Sequence, residues 1–134
     1  MNANELMIGD WVVYDGDVDF TNPVRVDGID AATGSLITSD REDVGIEGVQ
    51  PIPLTDEILA NNFVVTDDTA YGKHYGYYND FMEVDICEYT DGIWQVVVDE
   101  IEMSGLPTWK MYVEDVHQLQ HALRLSGIKM EIKL

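Results

Sequence analysis

The sequence predicts an α+β fold: a small SH3-like β-barrel over residues 1–54, then an α+β subdomain over residues 55–134 built on a mainly antiparallel sheet with one packed C-terminal helix. Three observations carry that expectation. Short apolar-rich runs punctuated by turn residues recur early in the chain, at the spacing of about 8 to 12 residues typical of small barrels and sandwiches. Asp91-Gly92 separates two β-rich runs, the signature of a two-residue hairpin. A helical apolar period is clearest between Glu114 and Leu125. The two parts are expected either as separate subdomains or as one compact domain.

In chain order, strands are expected at Asp10–Tyr14, Pro23–Ile29 and Ser35–Ser39, with turns at Asp15-Gly16-Asp17 and Thr33-Gly34 and an extended piece from Val44 to Leu54. Val24, Val26 and Gly28 alternate with Arg25, Asp27 and Ile29, so the first three share one face of a bent sheet. Pro51 and Pro53 remove two backbone donors within three residues, which confines that segment to an edge or connector and marks a boundary.

Thr55 is positioned to cap a short helix over 55–62, with Asp56 and Glu57 at the positive end of its dipole. Ile58, Leu59 and Phe63 form its apolar stripe, and Asn61-Asn62 supplies a left-handed stop. Tyr71, Tyr75, Tyr77 and Tyr78 crowd a loop that contains a strand. The hairpin over 81–99 then sets Tyr89 opposite Trp94, Cys87 opposite Val96 and Asp85 opposite Val98, with Ile86 opposite Val97 on the other face. Neither face is purely polar in this register, so a layer is expected on each side.

After a break at Gly105-Leu106-Pro107, Trp109–Val113 reads as a strand and 114–125 as a helix. Val116, Leu119, Ala122 and Leu123 fall on one helical stripe, leaving His117, Gln118, His121 and Arg124 on a solvated face. Ile128, Met130 and Ile132 alternate with Lys129, Glu131 and Lys133, the pattern of a half-exposed final strand over 128–133 with lysines guarding its edge.

Charge sets the strongest functional constraint. Against 26 acidic side chains stand 7 basic ones, a net −19 with a sequence pI near 4.1. The excess is regional: residues 1–54 hold 11 acids and 2 bases, residues 55–107 hold 12 and 1, and residues 108–134 hold 3 and 4. Such a surface repels nucleic acid and anionic membranes, and excludes polyanions more firmly than it identifies any partner. The single cysteine, Cys87, cannot close an intrachain disulfide and reads as a small buried hydrophobe. Together with an opening that has no basic residue and no long apolar run, it predicts a cytoplasmic protein.

Candidate chemistry is sparse. His117 and His121 have the i, i+4 spacing that lets two imidazoles reach one metal ion, but position 118 is Gln118 where the metalloprotease pattern carries Glu. Asp15, Asp17 and Asp19 alternate like the start of a calcium loop, yet Phe20 stands where that loop needs Gly and Val26 where it needs a bidentate Glu, so a turn of solvated carboxylates is expected. No nucleophile elbow, phosphate-binding loop or dinucleotide fingerprint occurs. The expectation is therefore a chain without catalytic residues, resident metal or cofactor.

Three stretches, Asn4–Val12, Pro51–Leu59 followed by Asn62-Phe63, and Tyr112–Gln120, resemble an uncharacterised family of small proteins from gut anaerobic bacteria and their phages or mobile elements. That family carries, in this order, an "LRIGNWV"-like strand, a "PIPLTEEIL" segment and a "YVHQLQNLYFALTG"-like helix. The present chain departs in the last motif, where Glu114 and Asp115 are inserted and Leu123–Gly127 replaces an aromatic-bearing end. The resemblance implies a shared fold and makes His117, Leu119 and Gln120 part of a family feature. It implies no activity.

The leading functional expectation is a non-catalytic protein-interaction module, accessory to a phage or mobile element, contacting its partner through Tyr71, Tyr75, Tyr77, Tyr78, Trp109, His117 and Gln120. A second is an acidic mimic of nucleic acid that occupies a basic host protein: 19 charges match about 32 Å of duplex, close to the ~36 Å diameter of a compact chain this long. A third is a metal protein or enzyme centred on His117 and His121.

Overall fold

The computed structural model describes residues 5–30, 32–69, 72–100 and 109–134. The chain divides into two compact units, Met1–Ile52 with Asp115–His117, and Pro53–Glu114 with Gln118–Leu134.

The first unit is a five-stranded sheet in the order β4-β3-β2-β1-β5, comprising β1 (Trp11–Tyr14), β2 (Val24–Asp30), β3 (Ser35–Thr38), β4 (Val44–Gly45) and β5 (Val49–Pro51). The expected SH3-like barrel is not formed. The sheet is open, with β4 and β5 at its two ends rather than joined. Closure needs strands long enough to stagger around an axis. Here β4 has two residues and β5 three, and a 3-10 turn at Ile46–Gly48 separates them.

Leu6, Val12, Val24, Val26, Leu36 and Val49 form the core of this unit, with Tyr14, Ile29, Val44 and Ile46 packed against it. The register of β2 on β3 shifts between Val26 and Gly28, so Ile29 pairs with Leu36. The face expected to continue through Gly28 therefore continues through Ile29, because one extra residue inverts every side chain beyond it. Gly9, at φ 94°, turns the chain into β1, and the buried Asp10 carboxylate accepts from the Met7 N–H at 2.7 Å. Asp17 is more than a solvated turn residue. Its carboxylate accepts from the Thr21 and Asn22 backbone N–H groups and the Thr21 hydroxyl, and these bonds, that from Asn22 foremost, hold it below the usual aspartate range.

The second unit is an antiparallel sheet in the order β10-β9-β8-β7-β6, with β6 (Val64–Thr69), β7 (Gly72–Tyr78), β8 (Met82–Thr90), β9 (Ile93–Glu100) and β10 (Trp109–Val113). The hairpin turn is where the sequence places it, with Thr90 opposite Ile93 and Gly92 at φ 79°. Beyond it the register shifts between Glu88 and Thr90, pairing Ile86 with Val96 and Val84 with Val98. This overturns the expected register and the expectation of cover on both sides. The extra residue, Tyr89, brings the apolar set of β8 onto the same face as Trp94, Val96 and Val98, all buried, and gathers Glu83, Asp85, Cys87, Gln95 and Asp99 on the other.

A short helix is tied to the apolar face through Tyr75. α1 (Asp56–Asn62) starts at Thr55, whose hydroxyl accepts from the Ile58 N–H at 3.3 Å. The buried Tyr75 ring meets Trp94 edge-on at 6.4 Å and donates its hydroxyl to Asp56 at 2.7 Å, while the Trp94 indole N–H donates to the Leu54 carbonyl at 3.3 Å. α2 (Val116–Leu125) begins two residues later than expected. It ends in a Schellman motif: Gly127 at φ 77°, with Gly127 N–H to Arg124 O and Ile128 N–H to Leu123 O.

Two further expectations are corrected. Asn62 is helical rather than left-handed, and α1 ends on an extended Phe63. The segment 128–133 keeps its alternation, with Ile128 and Ile132 buried, but joins no sheet. Its backbone is held by a side chain, since Asn62 Nδ2 donates to Lys133 O at 2.9 Å and Lys133 N–H donates to Asn62 Oδ1 at 2.7 Å. A carboxamide offers the same donor–acceptor pair as a peptide, so it substitutes for a neighbouring strand. Among the described residues no helix is long and apolar enough to cross a membrane.

Candidate functional site

The register of the second sheet fixes which side chains share its polar face, because directly opposed residues point the same way. One row crosses the sheet as Tyr112, Gln95, Cys87, His74 and Asp67. The next runs Lys110, Val97, Asp85, Gly76 and Val64, and a third runs Asp99, Glu83 and Tyr78. Four carboxylates thus share these rows with one lysine.

Aromatic rings stand around this acidic centre. Tyr78 is 77% exposed at one end, and Tyr89 and Tyr112, 61% and 55% exposed, pack together at the other with ring centroids 5.0 Å apart. Tyr89 reaches Tyr112 from the register shift, so the irregularity that aligns the core also builds this pair.

At the centre, His74 lies directly opposite Cys87 and diagonal to Asp85. The His74 Nδ1 is 2.9 Å from one Asp85 carboxylate oxygen and 3.1 Å from the other, with the two side chains 38% and 39% exposed. A ligand atom from each of His74, Asp85 and Cys87 lies within 4.8 Å of the others. Cys87 is half-buried on the polar face, which corrects its reading as a core hydrophobe. Desolvation, followed by the Asp85 charge, pushes its thiol up. Cys87 is therefore a neutral thiol near pH 7 and a poor nucleophile unaided, although an imidazole and a carboxylate stand beside it.

The described tyrosines of the run do not share one surface. Strand alternation divides it: Tyr75 is core, Tyr77 is half-buried on the apolar face, and Tyr78 alone is well exposed. Tyr71 lies outside the described residues, as does the Gly105-Leu106-Pro107 break. Trp109 is 47% exposed on β10, where it lines a shallow groove with Met111 and Leu125.

The helix residues expected at a partner surface are also reassigned. His117 and Gln120 are 4% and 8% exposed, so they are interior groups, and neither lacks a polar or ring partner. The four-residue apolar stripe underestimates burial here because it counts apolar residue types alone, whereas the fold also encloses the His117 and Gln120 side chains. His117 and His121 join no cluster of three ligating side chains; among the described residues that arrangement occurs at His74, Asp85 and Cys87.

Sequence reasoning missed His74, Asp85, Cys87, Tyr89 and Tyr112 as members of one face. The local signal was present in Asp85-x-Cys87, which puts two ligating side chains on one side of a strand. His74 is 13 positions from Cys87, and only the β7–β8 register brings them together. No protein-family model matches the chain, and no curated protein or solved structure is similar to it.

Proposed function

We propose that the protein is a non-catalytic interaction module whose polar sheet face receives an arginine- or lysine-rich segment of a partner protein. The observation that carries the reading is the arrangement of Tyr78, Tyr89 and Tyr112 around Asp67, Glu83, Asp85 and Asp99 on one open face. Carboxylates attract a cationic segment and steer its approach, while flat aromatic rings take guanidinium or ammonium groups on their faces. The net charge of −19 excludes polyanionic partners more strongly at this face than it would on a neutral chain.

The cytoplasm suits a half-buried free thiol. An accessory role for a phage or mobile element rests on the three resembling stretches.

The test is an NMR titration of the full chain with an arginine-rich peptide. Saturable shifts should concentrate on the amides of the three rows, and Tyr112→Ala should weaken binding by roughly 2- to 5-fold, the equivalent of one exposed cation–π contact. Shifts spread evenly over the carboxylates of both units, with no effect of Tyr112→Ala, would refute the reading.

A further inference from the structure

We infer that His74, Asp85 and Cys87 form a binding site for a zinc-class divalent cation at the centre of the polar sheet face. The inference is independent of any protein partner, since it rests on the convergence of three ligating side chains.

The backbone builds that convergence. Antiparallel pairing sets His74 against Cys87 and Gly76 against Asp85, and the two-residue repeat of β8 keeps Asp85 and Cys87 on one side. Gly76 contributes no side chain between His74 and Asp85. A Cβ there would stand 2.5 Å from the Thr66 methyl, so the space over Gly76 belongs to Thr66, whose hydroxyl also donates to the His74 carbonyl at 3.3 Å. The strand that carries the imidazole is thereby tied down on its outer side.

The donor set selects the ion. One imidazole nitrogen, one carboxylate oxygen and one thiolate sulfur suit zinc and its neighbours, whereas calcium and magnesium take oxygen ligands. Zinc bonds of about 2.0–2.3 Å to nitrogen, oxygen and sulfur place neighbouring ligand atoms roughly 3.3–3.6 Å apart in a tetrahedron. The His74–Asp85 separation of 2.9 Å would open slightly, and the third ligand atom already lies within 4.8 Å of both. Half-exposure leaves an entry path and a fourth position for water. Asp67, Glu83 and Asp99 on the same face raise the local cation concentration.

Titration of the metal-free full chain with zinc chloride in a calorimeter should show about one equivalent bound in the micromolar range or tighter. Cobalt chloride should give a sulfur-to-cobalt charge-transfer absorption in the near ultraviolet. Cys87→Ser should abolish that absorption, and Cys87→Ser and His74→Gln should each weaken zinc by at least ~10-fold. These side chains are half-exposed, so circular dichroism should show both variants folded. Asp99→Asn, on the same face but outside the trio, should leave zinc affinity within about 2-fold. Absence of stoichiometric binding would overturn the inference. So would zinc binding that persists unchanged in Cys87→Ser, which would assign it to scattered carboxylates or to other histidines.

Discussion

Replacing Asn62 with alanine tests how the C-terminal segment is held. Asn62 makes three hydrogen bonds: Nδ2 to Ile58 O at 2.8 Å, Nδ2 to Lys133 O at 2.9 Å, and Oδ1 from Lys133 N–H at 2.7 Å. Each neutral bond contributes about 0.5–1.5 kcal/mol net, but Lys133 is exposed and its backbone rehydrates when the carboxamide is removed. The expected loss is therefore about 1–2 kcal/mol rather than the full sum.

The segment should not detach in this variant. Ile128 and Ile132 are 2% and 3% exposed, and each contributes about 1.5–3 kcal/mol through burial. Urea unfolding would measure the loss, and hydrogen exchange would show the Lys133 amide accelerated while Ile128, bonded to Leu123 O, stays protected. Asn62→Asp should be at least as damaging, because its carboxylate places an acceptor against the Ile58 and Lys133 carbonyls. If both variants retained full stability with Lys133 exchange unchanged, the amide clamp would contribute nothing. A loss above about 4 kcal/mol in Asn62→Ala would mean that the isoleucines do not hold the segment by themselves.

Two further outcomes follow from local geometry. Gly76→Ala should destabilise the second unit by about 1–3 kcal/mol, because the new Cβ falls 2.5 Å from the Thr66 methyl; Thr66→Ser, which removes that methyl, should restore most of the loss, and equal cost in both backgrounds would sink the account. For Asp17, a carboxyl NMR titration should give a midpoint below that of an unstructured aspartate, with its contribution to stability complete above the ordinary range near ~3.9 and lost as the pH falls through the lower folded value. A midpoint at or above the ordinary value would contradict the three hydrogen bonds drawn to this carboxylate.

Several features were legible from residue order alone. Thr55 announces α1, Asp91-Gly92 the hairpin turn, and Ser126-Gly127 the end of α2, because capping and turn chemistry act within a few residues. The acidic surface was legible too, since charge needs no fold to be counted.

Sheet faces were legible only in pieces. Alternation assigns faces correctly within a run, but single-residue shifts after Val26, Val65 and Glu88 reset the phase, and composition does not reveal them. The shift at Tyr89 has the largest consequence, because it places every buried β8 and β9 residue on one face and leaves Cys87 on the other. Helix burial was underestimated for the same kind of reason, since hydropathy does not record that the fold encloses His117 and Gln120.

The sequence by itself therefore determined the start of α1, the hairpin turn, the end of α2 and the sign of the electrostatic field, all of which depend on composition or on near neighbours along the chain. The tertiary structure decided that the first sheet stays open, that Asn62 stands in for a strand beside Lys133, and that His74 meets Asp85 and Cys87. Those outcomes depend on strand length, on contacts between residues far apart in the chain and, for the trio, on register, none of which can be read from one stretch of sequence.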